Sequence, residues 1–338
     1  MKIKGHRYVA VTGQGFFPVA QLGPKGEVLV VLRGGAPHIG MEGRLDLVAS
    51  RTGGRTWTKP RVIVDSPLDD RNPAFAVLPD GTLVVGYSLC DAYVNGEWRS
   101  EVARFHVFVT RSGDGGKTWT RPTLVNVSPY DDGSPFGKMV LMPDGTLLMN
   151  VYCWYLPAYG GDKPEEKRGE FTLVFRSRDG GKTWGDLSLI ARGFNETGLL
   201  LMPDGRLLAV MRSDAAGGLW QCESSDGGLT WSEPTRITRL AEQPGDLVLL
   251  PSGHVLLVFG ERNEPFGTMG MVSKDGGKTW GEKFTLWDDA VNTDCGYPSA
   301  VVLSDGRILV VYYTVGSKKR PDWGTCAPVV VFRESDLP

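Results

Sequence analysis

One eight-residue phrase occurs five times in this chain and divides it at nearly regular intervals. The copies are SRTGGRTW, SGDGGKTW, SRDGGKTW, SSDGGLTW and SKDGGKTW, which end at Trp57, Trp119, Trp184, Trp231 and Trp280. A spacing of roughly 45 to 65 residues is too long for a helical-hairpin solenoid and is typical of a four-stranded propeller blade. Each copy therefore predicts one blade.

The phrase itself predicts a turn. Its Asp-Gly-Gly supplies a carboxylate that can accept local backbone N–H groups and two glycines that tolerate positive φ. The Thr-Trp pair that follows favours the start of a strand, with the indole packed on a neighbouring sheet. A calcium loop would need alternating oxygen ligands and a distal glutamate, which the phrase lacks. We interpret the repeat as structural and predict no metal.

A second turn recurs six times between pairs of apolar runs, as in FAVLPDGTLVVGY. Such a turn predicts a β-hairpin with its glycine in a left-handed conformation. A blade would then consist of a strand, a hairpin, a strand, a loop, a strand, the Trp-bearing turn and a last strand. The hairpin glycines are Gly26, Gly81, Gly145, Gly205, Gly253 and Gly306.

The unequal numbers of the two repeats predict how the ring closes. Six hairpin turns against five Trp-bearing turns leave one blade short of a strand, and the chain ends on the strand-like segment APVVVFRES. The N-terminal segment from Arg7 to Gly13 can supply the missing strand, and closure also removes exposed sheet edges. We predict an all-β, six-bladed β-propeller of four-stranded antiparallel blades that forms a single domain over residues 1–338.

Composition argues against several kinds of partner. Lys and Arg total 37 against 39 Asp and Glu, a formal charge of −2, so nothing indicates binding to nucleic acid or to an anionic membrane. The segment MKIKGHRYVAVTG lacks the apolar core of a signal peptide, and no apolar run is long enough to span a membrane. We therefore expect a cytoplasmic protein. The oligomeric state stays open.

Cysteine and histidine show no metal-binding pattern. The five cysteines are scattered without a CxxC pair, which predicts neither a disulfide framework nor a zinc site. The histidines are equally dispersed, and each is interpreted as a surface or packing residue. No metal and no cofactor is predicted. The four histidines are His6, His38, His106 and His254.

The strand order also predicts which face carries function. Hairpin turns and Trp-bearing turns lie on one face. Loops between second and third strands and connections between blades lie on the other, where loops on a rigid scaffold carry chemistry. The longest of these loops are residues 89–104 and 154–170. Trp154, Tyr155 and Tyr159 in the second loop either stack on a sugar or pack the loop down.

Charged and phenolic side chains gather at that face. Carboxylates that flank a bound sugar are what cleavage of a glycosidic bond requires, one as proton donor and one as nucleophile or base. Arginine forks suit a substrate that bears a carboxylate. The candidates at the starts of first strands and the ends of second strands are Asp70, Arg71, Asp132, Glu196, Asp294, Tyr297, Arg33, Arg212 and Arg262.

The SxDGGxTW phrases resemble the Asp boxes, or BNR repeats, of the sialidase (neuraminidase) superfamily, and they cover essentially the whole chain. FNETGLLLMPDGRLLAVMR is similar to the sialidase segment in which a glutamate begins one strand and an arginine ends the next, which implies those roles for Glu196 and Arg212. GYPSAVVLSDGRILVVYY resembles the segment that carries the sialidase nucleophile, which implies that role for Tyr297. In that family the tyrosine attacks the anomeric carbon, the glutamate takes its proton, and an aspartate serves as acid and base.

Three positions depart from the sialidase pattern. Phe16 and Phe266 stand where the first and third arginines of the carboxylate-binding triad are expected. Asn72 stands where the acid/base aspartate is expected, and Asp70, two residues earlier, is the candidate replacement. The missing arginines argue against ordinary sialic acid and imply a different terminal sugar.

We expect an exo-acting glycoside hydrolase of the sialidase-like superfamily that cleaves a terminal acidic sugar from a glycan. Tyr297 would be the nucleophile, Glu196 its base and Asp70 the acid/base. The predicted substrate-binding residues are Arg212, Arg262, Arg71, Arg33, Asp294, Asp132 and Trp154.

Alternatives stay open. A glycosidase with two carboxylates is one, but a Tyr297 hydroxyl within hydrogen-bond reach of Glu196 would favour the tyrosine mechanism. A non-catalytic propeller would bind glycans through loop aromatics such as Trp154. In a purely structural interpretation, Glu196 and Arg212 are only a buried ion pair. The candidate partners of Glu196 in the two-carboxylate mechanism are Asp70, Asp132, Asp246 and Glu261.

Overall fold

A computed structural model describes residues 1–156, 165–167 and 169–338 of the chain. Over these residues the chain forms 26 β-strands and three short 3-10 helices, which confirms the predicted all-β fold. The strands build four four-stranded sheets, one eight-stranded sheet and one two-stranded hairpin in a propeller-like arrangement. Tyr159 lies outside the described residues.

The strands follow one another with short turns, and their bounds are as follows in chain order. The N-terminal strand and the first sheet are β1 His6–Thr12, β2 Phe16–Leu22, β3 Val28–Gly34, β4 Arg44–Ser50 and β5 Arg61–Val64. The first half of the eight-stranded sheet, with the small hairpin β8–β9, contains β6 Asp69–Val77, β7 Leu83–Asp91, β8 Tyr93–Val94, β9 Glu97–Trp98, β10 Arg104–Ser112 and β11 Thr123–Leu124. Its second half contains β12 Asp132–Leu141, β13 Leu147–Trp154, β14 Glu170–Ser177 and β15 Gly185–Arg192.

The remaining sheets repeat the same order. The next two are formed by β16 Thr197–Leu201, β17 Leu207–Arg212, β18 Leu219–Ser224, β19 Thr235–Arg236, β20 Glu242–Leu249, β21 Val255–Glu261, β22 Gly267–Ser273 and β23 Phe284–Trp287. The last sheet combines β1 with β24 Cys295–Val302, β25 Arg307–Thr314 and β26 Cys326–Arg333. The 3-10 helices are Glu165–Lys167, Pro321–Trp323 and Glu334–Asp336. Within the described part of the chain, no helix has the length and apolar character needed to cross a lipid bilayer.

The N-terminal strand closes the last sheet, as the repeat count predicts. β1 pairs antiparallel with β26, so that sheet runs in the order β1, β26, β25, β24. One apolar cluster contains Val30 of the first sheet and Val331 of the last, so these two sheets pack on each other. The two ends of the described chain therefore meet in one sheet.

The eight-stranded sheet contains the four-strand pattern twice. Its order is β11, β10, β7, β6, β12, β13, β14, β15. The inner strands β6 and β12 are joined by only two parallel residue pairs, Gly137 with Ala74 and Lys138 with Phe75. Each half otherwise has the antiparallel order of the neighbouring sheets.

The six predicted hairpin turns are present between the first and second strands of each four-strand unit. Their glycines have φ between 77° and 87°, the left-handed region that a β-carbon disfavours. Each glycine N–H donates to the carbonyl three residues earlier at 2.8 to 3.0 Å. The hairpin prediction is confirmed.

The five Trp-bearing turns are held together by their own side chains. In every copy the leading serine Oγ accepts the N–H of the second glycine at 2.8 to 2.9 Å. In the last copy, hydrogen bonds from Thr279 and Ser273 lower the pKa of Asp275 to about 2. Most of the indoles find acceptors, as with Trp57 on the Gly54 carbonyl at 2.9 Å. Trp119 Nε1 is the exception, since it is buried without a partner among the described residues.

An ion pair crosses the centre of the molecule. Lys138 of β12 contacts Asp246 Oδ2 of β20 at 2.7 Å and donates to the Ala300 carbonyl of β24 at 2.7 Å. Asp246 Oδ2 also accepts the Ala300 N–H at 2.8 Å. A cavity of only about 10 Å³ lies beside Asp246 and is bounded by Asn72 and Tyr297. Three inner strands are therefore tied together on the axis.

Replacing Ser224 with alanine is expected to lower the free energy of unfolding by about 1–3 kcal/mol, because the buried Gly228 N–H loses its acceptor. Ser224 is 2% exposed, and its Oγ lies 2.9 Å from that nitrogen. Equilibrium urea denaturation measures the change. The neighbouring Ser225 is exposed, so Ser225→Ala is the matched control and should change stability by less than about 0.5 kcal/mol. Equal losses in the two variants would contradict the role given to the serine.

Candidate active site

A cleft of about 580 Å³ opens on the face that the strand order predicts for function. Its walls come from the starts of first strands, the ends of second strands and the loops between second and third strands. Five of the predicted site residues line it: Tyr297, Glu196, Arg212, Arg71 and Trp154. The structure thus brings together residues from four different parts of the chain.

Tyr297, Glu196 and Arg212 form a closed set of contacts in the cleft. The Tyr297 hydroxyl donates to Glu196 Oε1 at 2.6 Å. Arg212 Nη1 donates to Glu196 Oε2 at 2.7 Å and to the Tyr297 oxygen at 3.1 Å. Its Nε binds Asp214 Oδ1 at 2.8 Å. Tyr297 is 7% exposed and Glu196 5%, so this hydrogen-bonded pair is largely shielded from water.

Backbone pairing positions the glutamate against the arginine. Glu196 directly precedes β16, and Arg212 ends β17. The Asn195 N–H donates to the Arg212 carbonyl at 3.0 Å, and the Arg212 N–H donates to the Glu196 carbonyl at 3.1 Å. The two strand ends therefore stay in register where the ladder finishes.

Tyr297 reaches the cleft because its strand bulges. The pairing of β24 with β25 shifts register between Gly296 and Ser299, and Tyr297 has a φ of 51°. A bulge re-aims a side chain away from the regular alternation of a strand. Gly296, at a φ of 105°, permits this geometry, since a β-carbon there would lie 2.9 Å from Gly260 Cα.

Two other inner strands repeat this bulge. Phe17 and Asn72 each have a φ of 52°, precede a proline as Tyr297 does, and line the cleft. Register shifts occur at the same places in β2 and β6. Three inner strands therefore present the residue before a proline to one pocket.

The Tyr297 phenol is neutral in this environment. Burial, and then the negative charge of Glu196, raise the pKa of Tyr297, while Arg212 and Arg262 oppose the shift. Burial alone would lower the pKa of Arg212, but Glu196, Tyr297 and Asp214 outweigh it and raise that pKa. The arginine stays charged, and the phenol needs a base before it can react.

Aromatic side chains occupy the place where the sialidase resemblance implies an arginine. Phe16, Phe17, Tyr297 and Tyr313 form one buried cluster. The Phe16 ring lies 5.1 Å from that of Tyr313, and the Phe17 ring lies 4.8 Å from that of Tyr297. This part of the site is apolar. Phe266 lies elsewhere, with Lys318 Nζ 5.6 Å from the centre of its ring.

A second group of carboxylates stands on the wall beside Glu196. Asn195 Nδ2 donates to Glu170 Oε2 at 2.9 Å and to Asp214 Oδ2 at 3.0 Å. Burial raises the pKa of Glu170 to about 7, although the hydrogen bond from Asn195 acts against the shift. A carboxyl group that titrates near neutral pH in a cleft is a candidate for proton transfer.

Another part of the cleft lining combines aromatic rings with a cation. The Arg71 guanidinium lies 5.7 Å from the ring centres of both Phe17 and Trp98. Its Nη1 binds Asp69 Oδ2 at 3.2 Å, and its Nε is buried without a hydrogen bond among the described residues. Here the positively charged guanidinium of Arg71 is surrounded by aromatic rings.

Trp154 belongs to an aromatic patch at the cleft. Its ring lies 5.4 Å from that of Phe105 and 5.8 Å from that of Tyr152. The Tyr152 hydroxyl accepts Asn72 Nδ2 at 3.1 Å. Aromatic rings with one polar edge suit the apolar face and the hydroxyls of a sugar.

Asp70 and Arg33 do not reach the cleft, so the roles predicted for them do not fit. Asp70 is fully buried, its two carboxylate oxygens accept from the Ser66 N–H and Oγ at 2.7 and 3.1 Å, and burial raises its pKa to about 6. Side chains alternate along a strand, and Asp70 points away from the side of β6 that carries Arg71. Arg33 is also fully buried, with its guanidinium bound to Asp69 Oδ1 at 2.7 to 2.8 Å.

Asp132, Arg262 and Asp294 also lie outside the cleft lining. Asp132 Oδ2 accepts the Phe105 N–H at 2.9 Å, and burial raises the pKa of this carboxyl. Arg262 lies 5.6 Å from the centre of the Tyr297 ring and supports it from outside the cleft. Asp294 Oδ1 accepts from His38 Nδ1 at 2.7 Å. These three residues support the site rather than line it.

Sequence reasoning missed His38 and Glu170, which both line the cleft. Glu170 begins the strand after one of the two longest loops, and that position was the available signal. His38 was interpreted as a surface or packing residue because it belongs to no motif. Its place in a loop between a second and a third strand, on the predicted functional face, was the signal that could have found it.

Within residues 1–156, 165–167 and 169–338, no three His, Cys, Asp or Glu side chains are grouped so that they could hold a metal ion. The five cysteines are buried and free.

Residues 33–310 match the BNR repeat-like domain family, and the chain belongs to that family. A sialidase of Bacteroides fragilis is 25% identical over 220 residues, which cover 60% of this chain and 38% of the relative. The chain therefore spans less than half the length of that relative.

Solved structures share the fold. A protein of unknown function from Dyadobacter fermentans has a TM-score of 0.82 at 24% identity, over 96% of this chain and 97% of the other. A Hadza microbial sialidase has a TM-score of 0.76 at 17% identity, over 98% of this chain and 69% of the other. The repeats, the relative and these neighbours together support a sialidase-like propeller.

Glu170 should make the folded protein less stable as the pH rises. Its folded-state pKa of about 7 exceeds that of an unfolded glutamate. Between these two pKa values the unfolded chain gives up the proton more readily than the folded protein does. The contribution of Glu170 to folding stability is therefore fully present below roughly pH 4.5 and is lost as the pH rises to about 7. This group should lower the free energy of unfolding by up to about 3 kcal/mol over that range.

Urea denaturation at pH 5 and pH 7.5 tests this expectation. Glu170→Gln should flatten the pH dependence, whereas Glu101→Gln, at an exposed glutamate of the same cleft, should leave it unchanged. An unaltered slope in Glu170→Gln would show that the carboxyl titrates in its ordinary range.

Proposed function

We propose that this protein is an exo-acting glycoside hydrolase that removes a terminal acidic sugar from a glycan. The observation that carries the proposal is the 2.6 Å hydrogen bond from the Tyr297 hydroxyl to Glu196 in the cleft. A phenol is a weak nucleophile until a base takes its proton, and the raised pKa of Tyr297 makes that base necessary. The similarity to sialidases supports the same reaction class.

In the proposed reaction, the Tyr297 oxygen attacks the anomeric carbon while Glu196 takes the phenolic proton. The bond from the anomeric carbon to the leaving oxygen breaks as the bond to tyrosine forms. The leaving oxygen takes up a proton as it departs. Water then attacks the anomeric carbon and gives up a proton, and Glu196 returns its own proton to the departing phenolate. Arg212 contacts both partners and holds their oxygens in place throughout.

The cleft favours a single terminal sugar. A volume of about 580 Å³ lies within the usual range of small-molecule pockets. Trp98 and Trp154 supply aromatic faces, and Arg71 and Arg212 supply positive charge for an acidic substituent. Phe16 replaces a triad arginine with an apolar ring, which supports a sugar other than ordinary sialic acid.

The proposal includes six blades. The eight-stranded sheet would count as two blades, because its halves are joined by only two residue pairs between β6 and β12. The six hairpin turns, one at each four-strand unit, support this count.

A two-carboxylate mechanism is the second candidate, and one observation favours it. Glu170 lines the same cleft as Glu196 and has a pKa raised to about 7. The partners expected from sequence fit less well: Asp246 is bound to Lys138 at 2.7 Å, and Glu261 Oε1 accepts the Asn263 N–H at 2.8 Å.

The proposed function is tested by the release of sugar from aryl glycosides of sialic acids, uronic acids and neutral sugars. We expect one acidic sugar to be released by the wild-type protein. Tyr297→Phe and Glu196→Gln should each lower kcat by about 10²- to 10⁴-fold, because the first removes the nucleophile and the second its base.

Tyr8→Phe is the matched control, since Tyr8 lies on β1 away from the cleft, and it should retain full activity. Full turnover by Tyr297→Phe would exclude the tyrosine nucleophile and favour the pair of Glu196 and Glu170. Binding of glycans without release from any glycoside would identify a binding module instead.

A further inference from the structure

We propose that His38, oriented by Asp294, is the catalytic acid/base of this site. The proposal rests on the proposed function, because it assigns the proton donor that the leaving oxygen needs. It concerns a histidine that no motif of the sequence marks.

His38 stands in the cleft close to the nucleophile. Its side chain is 33% exposed and lies on the loop between β3 and β4. The imidazole lies 5.1 Å from the Phe17 ring, and the Phe17 ring lies 4.8 Å from the Tyr297 ring. Phe17 therefore contacts both the imidazole and the tyrosine.

Asp294 determines which nitrogen of His38 stays available for substrate. Its Oδ1 lies 2.7 Å from His38 Nδ1 and also accepts the Tyr313 hydroxyl at 2.6 Å. Burial alone would raise the pKa of Asp294, but these two donors outweigh it and lower the pKa. A charged carboxylate only accepts, so Nδ1 carries a proton. Nε2 makes no hydrogen bond to any described residue and is the nitrogen left for substrate.

Buried charge holds the loop that carries the histidine. Arg33 Nη1 donates to the Pro37 carbonyl at 2.7 Å, and its Nη2 donates to the Gly40 carbonyl at 2.9 Å. Arg71 Nη2 donates to the carbonyl of His38 itself at 3.4 Å. A buried guanidinium needs partners for its donors, and Arg33 finds them in Asp69 and in carbonyls of this loop. The backbone before and after His38 is thus held in place, which fixes the position of the imidazole.

The other candidates for the acid fit less well. Asn72 has an amide, which is no proton donor to a leaving group, and its nitrogen is bound to the Ser134 hydroxyl at 2.9 Å. Glu170 accepts a hydrogen bond from the Asn195 side chain, and the same side chain accepts the Glu196 N–H, so Glu170 lies beside the base. The nucleophile enters on one side of the anomeric carbon and the leaving group departs on the other. His38 contacts Phe17 and Asp294 instead of Asn195, so it can serve that second side.

The proton balance closes over two steps. In the first, the glycosidic C–O bond breaks, its electron pair goes to the leaving oxygen, and that oxygen takes the Nε2 proton of the imidazolium. Tyr297 bonds to the anomeric carbon, and Glu196 holds the phenolic proton. In the second, Nε2 takes a proton from the attacking water, and Glu196 returns its proton to Tyr297. Imidazole is suited to both transfers because the same ring nitrogen can donate a proton and later accept one.

The test compares two leaving groups on the sugar that the wild-type protein releases best. A 4-nitrophenolate is a good leaving group and departs without being protonated. A methoxide is a poor leaving group and needs a proton from the acid in order to depart. His38→Gln should lower kcat/KM on the methyl glycoside by about 10²- to 10⁴-fold and on the 4-nitrophenyl glycoside by less than about tenfold. Retained turnover of the aryl substrate shows that the variant is folded, so the ratio of the two losses is the readout.

Matched variants complete the test. Asp294→Asn should give the same leaving-group selectivity with a smaller loss, because it disturbs only the orientation of the ring. His106→Gln, at an exposed histidine outside the cleft lining, should change neither rate. Equal losses of His38→Gln on both substrates, or a selective loss in Glu170→Gln instead, would overturn the assignment.

Failure of the proposed function gives a different result. If the wild-type protein releases no sugar from any glycoside, the reaction and the role of His38 are both wrong. If the wild-type protein is active and Tyr297→Phe is not, but His38→Gln shows no selectivity, only the histidine assignment falls.

Discussion

Three inner strands hold a non-glycine residue at positive φ, and the site depends on this constraint. Phe17, Asn72 and Tyr297 each precede a proline, which has no N–H and interrupts the ladder. Each such conformation costs about 1–3 kcal/mol, which the packed sheets around it must supply. The same bulge occurs in three inner strands and directs one side chain of each into the same pocket. The identities of these three side chains therefore determine the chemistry of the pocket. Here they are an apolar ring, an amide and a phenol.

The turns were predictable from sequence because their contacts are local. A Trp-bearing turn is closed by a serine and a glycine four residues apart, and a hairpin by a glycine and a carbonyl three residues apart. The closing strand was predictable for a different reason, since an unequal count of two repeats leaves only one segment to fill the gap. Strand pairing brings Glu196 and Arg212 together, because one precedes a first strand and the other ends the second strand of the same sheet. Tyr297 joins them from the start of a first strand in another sheet.

Contacts between distant loops were not predictable in the same way. His38 enters the site because Arg33 and Arg71 bind carbonyls of its loop, and no local pattern of residues announces such contacts. Asp70 is the candidate acid in the sequence because it lies two residues from Asn72, and such residues share one side of a regular strand. The bulge between Arg71 and Ala74 breaks that alternation. Asp70 therefore binds Ser66, and the residues of β6 that line the cleft are Arg71 and Asn72.

The ion pair between Lys138 and Asp246 determines from which side a molecule can enter the cleft. It joins three inner strands beyond Asn72 and Tyr297, where only about 10 Å³ of space remains. The cleft is therefore closed at this end. In the proposed function, the glycan enters and leaves the cleft from the same side. Such a shape would select chain ends over chain interiors, whichever groups on the walls recognise the sugar.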